Sequence, residues 1–215
     1  MARACDNRTE LTSDWGAVAP AYDLQLPLER VAVRRLIGAL TPEPGERMLD
    51  LGTGTGAVLR ELASRTHPPR EVLGVDSSAA MLQRVPRLPD GWRVTEADVT
   101  DLPLPDGSVD VVSVSYVLHV LAGPTRRLAV GEMFRVLRPG GRAGVLVPAL
   151  PRGALRRPYA AGLEWLLRVS ESALGLSVID ATGDLQGAGF HVERQAFVRT
   201  GYPSVVTVAV RPDSG

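Results

Sequence analysis

The residues best suited to chemistry lie in the first half of the chain. Met48-Leu49-Asp50-Leu51 is a short apolar run that breaks into Gly52-Thr53-Gly54-Thr55-Gly56, and helical spacing follows in Val58, Leu59, Leu62 and Ala63. A strand that passes through glycines into a helix brings backbone amides and a helix N-terminus close to a ligand, because glycine has no Cβ to obstruct the approach. Alone this loop is ambiguous, since such loops serve several nucleotide-like ligands and some only pack a helix on a sheet. Asp76 ends the next apolar run, 20 residues beyond Gly56, where a carboxylate can accept from both hydroxyls of a ribose. Asp98 follows the third run, placed to accept from an adenine amino group. Asp50 precedes the first glycine, where it would repel a pyrophosphate but favour an ammonium or sulfonium.

Three carboxylates around a glycine loop fit a ligand with a ribose, an adenine and a positive charge, which describes S-adenosylmethionine. The elements that must position them alternate. Apolar spacing predicts a helix over Val31–Leu40, ended by Thr41-Pro42-Glu43-Pro44-Gly45, then strands at Arg47–Leu51, Glu71–Val75, Trp92–Glu96 and Val109–Val114. A short helix is expected at Ser78–Arg84, and Pro124 opens another that stops at a tight Arg138-Pro139-Gly140-Gly141 turn before the strand Ala143–Val147. Strand alternating with helix at this spacing means an α/β fold: a parallel sheet with helices on both faces. A short helix near Ala181–Ala188 precedes two last runs, Phe190–Arg199 and Val205–Arg211, joined by Thr200-Gly201-Tyr202-Pro203-Ser204, too short for anything but an antiparallel pair.

Residues 45–148 resemble a class I S-adenosylmethionine-dependent methyltransferase of the small-molecule and quinone type. The resemblance rests on Leu49 to Gly56, on Gly74-Val75-Asp76-Ser77-Ser78 with Met81-Leu82, and on Glu96-Ala97-Asp98-Val99. It continues in Leu102 to Asp110 and ends in Arg135-Val136-Leu137-Arg138-Pro139-Gly140-Gly141. It implies a Rossmann-like seven-stranded sheet of order 3-2-1-4-5-7-6 with an antiparallel last strand. It also implies S-adenosyl-L-methionine as cofactor and S-adenosyl-L-homocysteine as product. By the same resemblance Asp50 would organise the methionine ammonium, directly or through water. Gly52, Thr53 and Gly54, with Gly56 closing the loop, would line the methionine and ribose. Asp76 would hold the ribose diol. Ser77, Met81 and Ala97 would border the adenine, Asp98 would meet its amino group, Val99 would supply a backbone donor, and Ser115 would face the amino-acid moiety.

On the acceptor side, methyl transfer needs alignment, exclusion of water and, for an oxygen or acidic carbon, removal of a proton. His119 lies just beyond the fourth strand, near the crevice at the carboxyl ends. It is the candidate general base, with a cofactor-side contact and a structural role as the alternatives. Tyr116 either orients an acceptor or packs. Trp15 and Tyr22 belong to a segment similar to the N-terminal tryptophan and tyrosine-aspartate of small-molecule members, which makes Trp15 a substrate-binding candidate and Tyr22 a cofactor contact or a packing residue. The amphipathic stretch 152–174 carries Tyr159 and Trp165 as pocket-lining candidates, while Arg152, Arg156 and Arg157 read as a solvated face. Asp101, Asp106 and Asp110 read as turn and solvent carboxylates. The expected organisation is an N-terminal arm with lid helices over 1–44, then a cofactor-binding core over 45–215 with an acceptor-side helical insertion at about 150–178.

Composition narrows the function. The 215 residues carry 24 basic and 24 acidic groups, a balance that argues against nucleic acid as partner. All the basic residues are arginine, which excludes a catalytic or Schiff-base lysine. Cys5 is alone, so no internal disulfide forms, and with no apolar leader in 1–13 a reducing, cytoplasmic setting is expected. No apolar run approaches a membrane span, and no cluster has metal-ligand spacing, so the expected sites include no metal. The expected enzyme is a monomer or homodimer that methylates oxygen or carbon of a small molecule, such as an aromatic or polyketide-type secondary metabolite. Two alternatives stand beside it: a non-methylating cyclase or hydroxylase that keeps the cofactor, and a binding module with a degenerate site.

Overall fold

The computed structural model describes residues 26–149, 179–201 and 203–213. Trp15, Tyr22, Tyr159, Trp165 and most of the arm and insertion lie outside the described residues. The chain runs α1 (Leu26–Leu40), β1 (Arg47–Leu51), α2 (Ala57–Ala63), β2 (Glu71–Asp76), α3 (Ala79–Leu82), β3 (Trp92–Glu96) and β4 (Val109–Ser115). A 3-10 turn (Leu118–Val120), α4 (Gly123–Val136), β5 (Leu137–Pro148), α5 (Thr182–Gly187), β6 (His191–Val198) and β7 (Ser204–Val210) follow. The strands form one seven-stranded sheet of order β3-β2-β1-β4-β5-β7-β6, as the family resemblance implied. The first five strands are parallel and β7 runs antiparallel between β5 and β6.

Near-continuous Val and Leu runs mark strands covered on both faces, and the sheet separates two cores accordingly. On one face α1 and α2 press Ala32, Leu36, Ile37, Leu59 and Leu62 against Met48, Val72, Val111, Leu146 and Val208. On the other, α4 and α5 press Ala129, Met133, Val136 and Leu185 against Leu49, Val75, Val112 and Val145. Each fully buried Leu or Ile contributes roughly 1.5–3 kcal/mol relative to exposure.

Three expectations change. The periodicity read only the second half of α1, because Leu26-Pro27-Leu28-Glu29 lacks a clear apolar stripe; the helix starts at Leu26, with Pro27 tolerated in the first turn. The helix is also a layer of the core, packed on α2, β4, β5 and β7, so residues 26–40 are built into the fold and do not stand off it as a lid. The turn expected at 138–141 is likewise absorbed into β5, which begins at Leu137 and tolerates Gly140 at φ +72° beside a register shift between Val109 and Val111.

Arginines lock the connections. Arg142 makes a two-pronged pair with Glu46 (2.6 and 2.7 Å) and donates to the carbonyls of Leu40 and Thr41, closing the end of α1 on β5. Arg135 donates to Glu132 and Asp106 and to the carbonyls of Leu102 and Leu104, tying the loop after β3 to α4. Asp110 accepts from the Arg47 amide at 2.8 Å and from Arg138. Asp106 and Asp110 are therefore ion-pair partners, because the sheet returns basic residues from β1, α4 and β5 to their side; Asp101 stays exposed.

Gly144 marks the tightest approach of α1. A Cβ there would meet Leu36 Cδ1 at 2.7 Å and Leu40 Cδ1 at 2.8 Å, both fully buried. Gly144→Ala is expected to destabilise by about 1–3 kcal/mol through overpacking, read as a lower urea midpoint at unchanged slope.

Candidate cofactor site

The sheet register decides what surrounds the glycine loop. In β1, Asp50 lies level with Gly74 of β2 and Ser113 of β4. Its side chain is 1% exposed. One carboxylate oxygen accepts from Ser113 Oγ at 2.7 Å and the other from Thr53 Oγ1 at 2.6 Å. Gly74 is the reason Thr53 can fold back so far: a Cβ at Gly74 would sit 3.0–3.1 Å from the Thr53 side chain.

The loop is then strapped to β2. Thr53 N donates to the Val75 carbonyl at 2.9 Å, and Gly54 N donates to Asp76 Oδ2 at 2.8 Å. Gly52, Gly54 and Gly56 take φ +68°, +55° and +89°, a left-handed region open to glycine at little cost. At Gly52 a Cβ would overlap Val117 Cγ2 at 2.2 Å. Asp76 also accepts from Ser78 N at 2.9 Å, and Ser78 Oγ caps α3 by accepting from Met81 N. Asp76 thus organises both the loop and the next helix start from one position.

Around this centre the structure gathers the other residues singled out in the sequence. Ser77 is exposed beside Asp76, and Met81 is buried on α3. Ala97 N donates to the Asp76 carbonyl at 3.1 Å, and Asp98 is exposed, with one oxygen accepting from Thr100 N and Thr100 Oγ1. Val99 packs on the α4-side core. Ser115 is half-buried at the carboxyl end of β4.

Further along, Tyr116 takes φ +57° and is 8% exposed, its hydroxyl 2.7 Å from Ser204 Oγ on β7. Its ring meets His119 edge-on at 6.3 Å. His119 is 5% exposed, and burial pushes its pKa down to about 4. The imidazole is therefore neutral at physiological pH and a weak base. Sequence reasoning gave no structural role to Ser113, or to Gly74 although it stands in the Gly74–Ser78 motif; both matter through strand register, which leaves no local signal.

The electrostatics are unusual for residues so enclosed. Burial drives the Asp50 pKa up to about 6 against the hydrogen bonds of Thr53 and Ser113, with the nearby Asp76 adding to the rise. Burial also raises Asp76, opposed by the amides of Ser78, Gly54 and Ser77. Two adjacent enclosed carboxylates create a field that favours a cation. Asp76 keeps lone pairs for further donors, since a carboxylate offers about four acceptor sites.

The comparisons agree. A family model described as methyltransferase domain matches residues 48–141, the span from β1 to the start of the β5 ladder. The demethylmenaquinone methyltransferase of Thermus thermophilus is 36% identical over 152 residues, covering 66% of this chain and 68% of that protein. The chain belongs to the class I S-adenosylmethionine-dependent methyltransferases. A ubiquinone/menaquinone biosynthesis C-methyltransferase of Geobacter sulfurreducens is 31% identical, covering 74% of this chain and 66% of that one. A Haloferax volcanii chain solved in complex with a methyltransferase activator shares the fold at TM-score 0.74 and 21% identity, covering 94% of this chain and 96% of that one. The chain spans from about a third to about two thirds of the length of the curated relatives it matches.

The residues present fit the methyltransferase cofactor, S-adenosylmethionine: a loop held by three glycines in left-handed backbone, two carboxylates that favour a cation, and an acceptor-rich Asp76 edge. No group of three His, Cys, Asp or Glu among the described residues could hold a metal, and no helix among them is long and apolar enough to cross a membrane.

The raised Asp50 pKa has a defined sign. Above its ordinary value of 3.8 the unfolded chain gives up this proton first, so the folded state loses stability as pH rises to about 6. Asp50→Asn removes that loss. In cofactor-free protein the variant is expected to gain stability relative to wild type between pH 4.5 and pH 7 in urea titrations, while binding S-adenosylhomocysteine more weakly.

Proposed function

We propose that this chain transfers a methyl group from S-adenosylmethionine to a small aromatic acceptor, at a hydroxyl or an activated ring carbon of a hydroquinone or polyketide-type phenol. The carrying observation is the enclosed Asp50–Asp76 pair around a loop held in left-handed glycines. When bound, the cofactor supplies a methyl group already activated by the sulfonium. The protein's share is to hold it, align the acceptor and exclude water.

In this reading Asp76 accepts from the ribose diol with the lone pairs that Gly54 and Ser78 leave open. Ser77, Met81 and Ala97 border the adenine, Asp98 takes its amino group through the oxygen that Thr100 does not use, and Val99 offers its amide. Gly52, Thr53 and Gly54 line the methionine, with Ser115 facing it. Both oxygens of Asp50 are committed to hydroxyls and the residue is almost wholly enclosed. Its role is then to hold the loop and project negative charge at the ammonium and sulfonium.

The acceptor class is supported by relatives named for quinone methylation and by another named as a malonyl-[acyl-carrier protein] O-methyltransferase. Calorimetric titration of S-adenosylhomocysteine tests the site. Losing a charged acceptor costs roughly 1.5–3 kcal/mol, so Asp76→Ala should bind on the order of 10–100-fold more weakly while its thermal transition stays cooperative. Absence of binding to folded wild type would sink the proposal.

A further inference from the structure

α1 has a second face besides the one it buries. Its core stripe is Ala32, Val33, Leu36, Ile37 and Leu40. Beside that stripe, Val31, Arg34, Arg35 and Gly38 recur at helical spacing and form one ridge along the helix. β6 is the last strand of the sheet. Among the described residues it pairs only with β7, so its other edge has no strand beside it. A groove of 870 Å³ lies between the ridge and β6, where it is lined by Arg194, Ala196 and Val198, with Arg199 just past the strand. Arg65, two residues after α2, and Val206 of β7 also line it. At Gly38 a Cβ would meet nothing within 4 Å, so the helix side is open. Val31 is 36% exposed although it is large and apolar.

The charge in this groove has one sign. Five arginines line it and, among the described residues, no acidic side chain does. Two of the five have partners: Arg34 meets Glu61 at 3.4 Å, and Arg194 donates to the Ala39 carbonyl at 3.0 Å. Arg35, Arg65 and Arg199 make no hydrogen bond or ion pair among the described residues, and Arg65 Nε is buried without an acceptor. The whole chain is formally neutral, so this is a local field, and it attracts anions.

We propose that the groove docks an extended acidic segment of a partner protein, laid along β6. The interaction is separate from the cofactor site and goes beyond methyl transfer. From Arg194 to Thr200 the lining spans about 20 Å of extended chain, the reach of roughly six residues of a second extended segment. In such a segment alternate side chains point the same way about 7 Å apart. Carboxylates at that spacing meet successive guanidinium forks, which take them two-pronged. The free edge of β6 offers main-chain donors and acceptors to the same segment. Val31, Ala196 and Val198 receive apolar side chains between the carboxylates. A lipid headgroup layer or a nucleic-acid duplex could use the charge but has no use for a strand edge.

The test uses the full chain and a fluorescein-labelled seven-residue peptide of alternating glutamate and valine, read by fluorescence anisotropy at low ionic strength. A second copy of the peptide is N-methylated on alternate main-chain amides. Wild type should bind the plain peptide, and the methylated copy on the order of 10-fold more weakly. The double variant Arg35→Gln, Arg199→Gln should bind it about 10–100-fold more weakly, as expected for lost hydrogen bonds between charged groups. Gly38→Leu keeps every charge and fills the groove, so its affinity should also fall by about 10-fold or more. Its thermal transition should be no lower than that of wild type, because glycine is a poor helix former. S-adenosylhomocysteine affinity should stay within about twofold in both variants. A face that only attracts anions would respond to the arginine changes and to neither Gly38→Leu nor methylation, and that pattern would overturn the proposal. So would failure of folded wild type to bind the peptide, or displacement of the peptide at lower concentration by phosphatidylserine vesicles or duplex DNA. The methylated peptide asks the same question of unaltered protein should a variant fail to fold.

Discussion

Everything at the cofactor site depends on Asp50 being held beneath its own loop. The carboxylate is enclosed, yet both oxygens accept from hydroxyls, one in the loop and one on the neighbouring strand. Those bonds offset part of the desolvation cost and convert it into geometry, because an enclosed charge tolerates few arrangements. Thr53 is pulled inward, its amide reaches β2, and the glycines at 52, 54 and 56 absorb the turn in left-handed backbone. Asp76 then receives the Gly54 amide. The loop is thus preorganised before any ligand arrives, and the negative field is already paid for by folding.

A second set of constraints keeps that centre in register without touching it. Arg142 fixes the end of α1 to β5, and Arg135 fixes the connection after β3 to α4. These guanidinium clusters satisfy loop carbonyls that would otherwise lie poorly solvated, which planar five-donor groups do better than a point charge can. Several residues that carry the family resemblance, from Leu102 to Asp110 and from Arg135 to Gly141, work in this way. They close the edge of the sheet where β4 and β5 begin, and need no ligand to explain them.

The packing of one face of the sheet follows from how α1 crosses it. Gly144 lets the helix lie close, with Leu36 and Leu40 packed directly on β5. Tyr116, in strained backbone, commits its hydroxyl to Ser204 and links β4 to β7 across β5. Polar groups from β4 and β7 thereby meet at one level, while His119 is enclosed and uncharged.

The sequence by itself determined the alternation of strands and helices, the antiparallel final pair, the glycine loop and the acids that follow β2 and β3. These are local signals: hydrophobic period, turn chemistry, and a ligand loop whose residues are contiguous. It misread what depends on distant partners. The first half of α1 lacks a clear apolar stripe because Glu29 occupies a core position, and Asp110 looked like a solvent carboxylate because Arg138 reaches it only across the sheet. Only the tertiary structure decided that Ser113 lies level with Asp50, that Gly74 makes room for Thr53, and that His119 is too enclosed to hold a proton near neutrality. The physical reason is that strand register and desolvation are set by neighbours far away in the chain, so neither leaves a mark in the residues nearby.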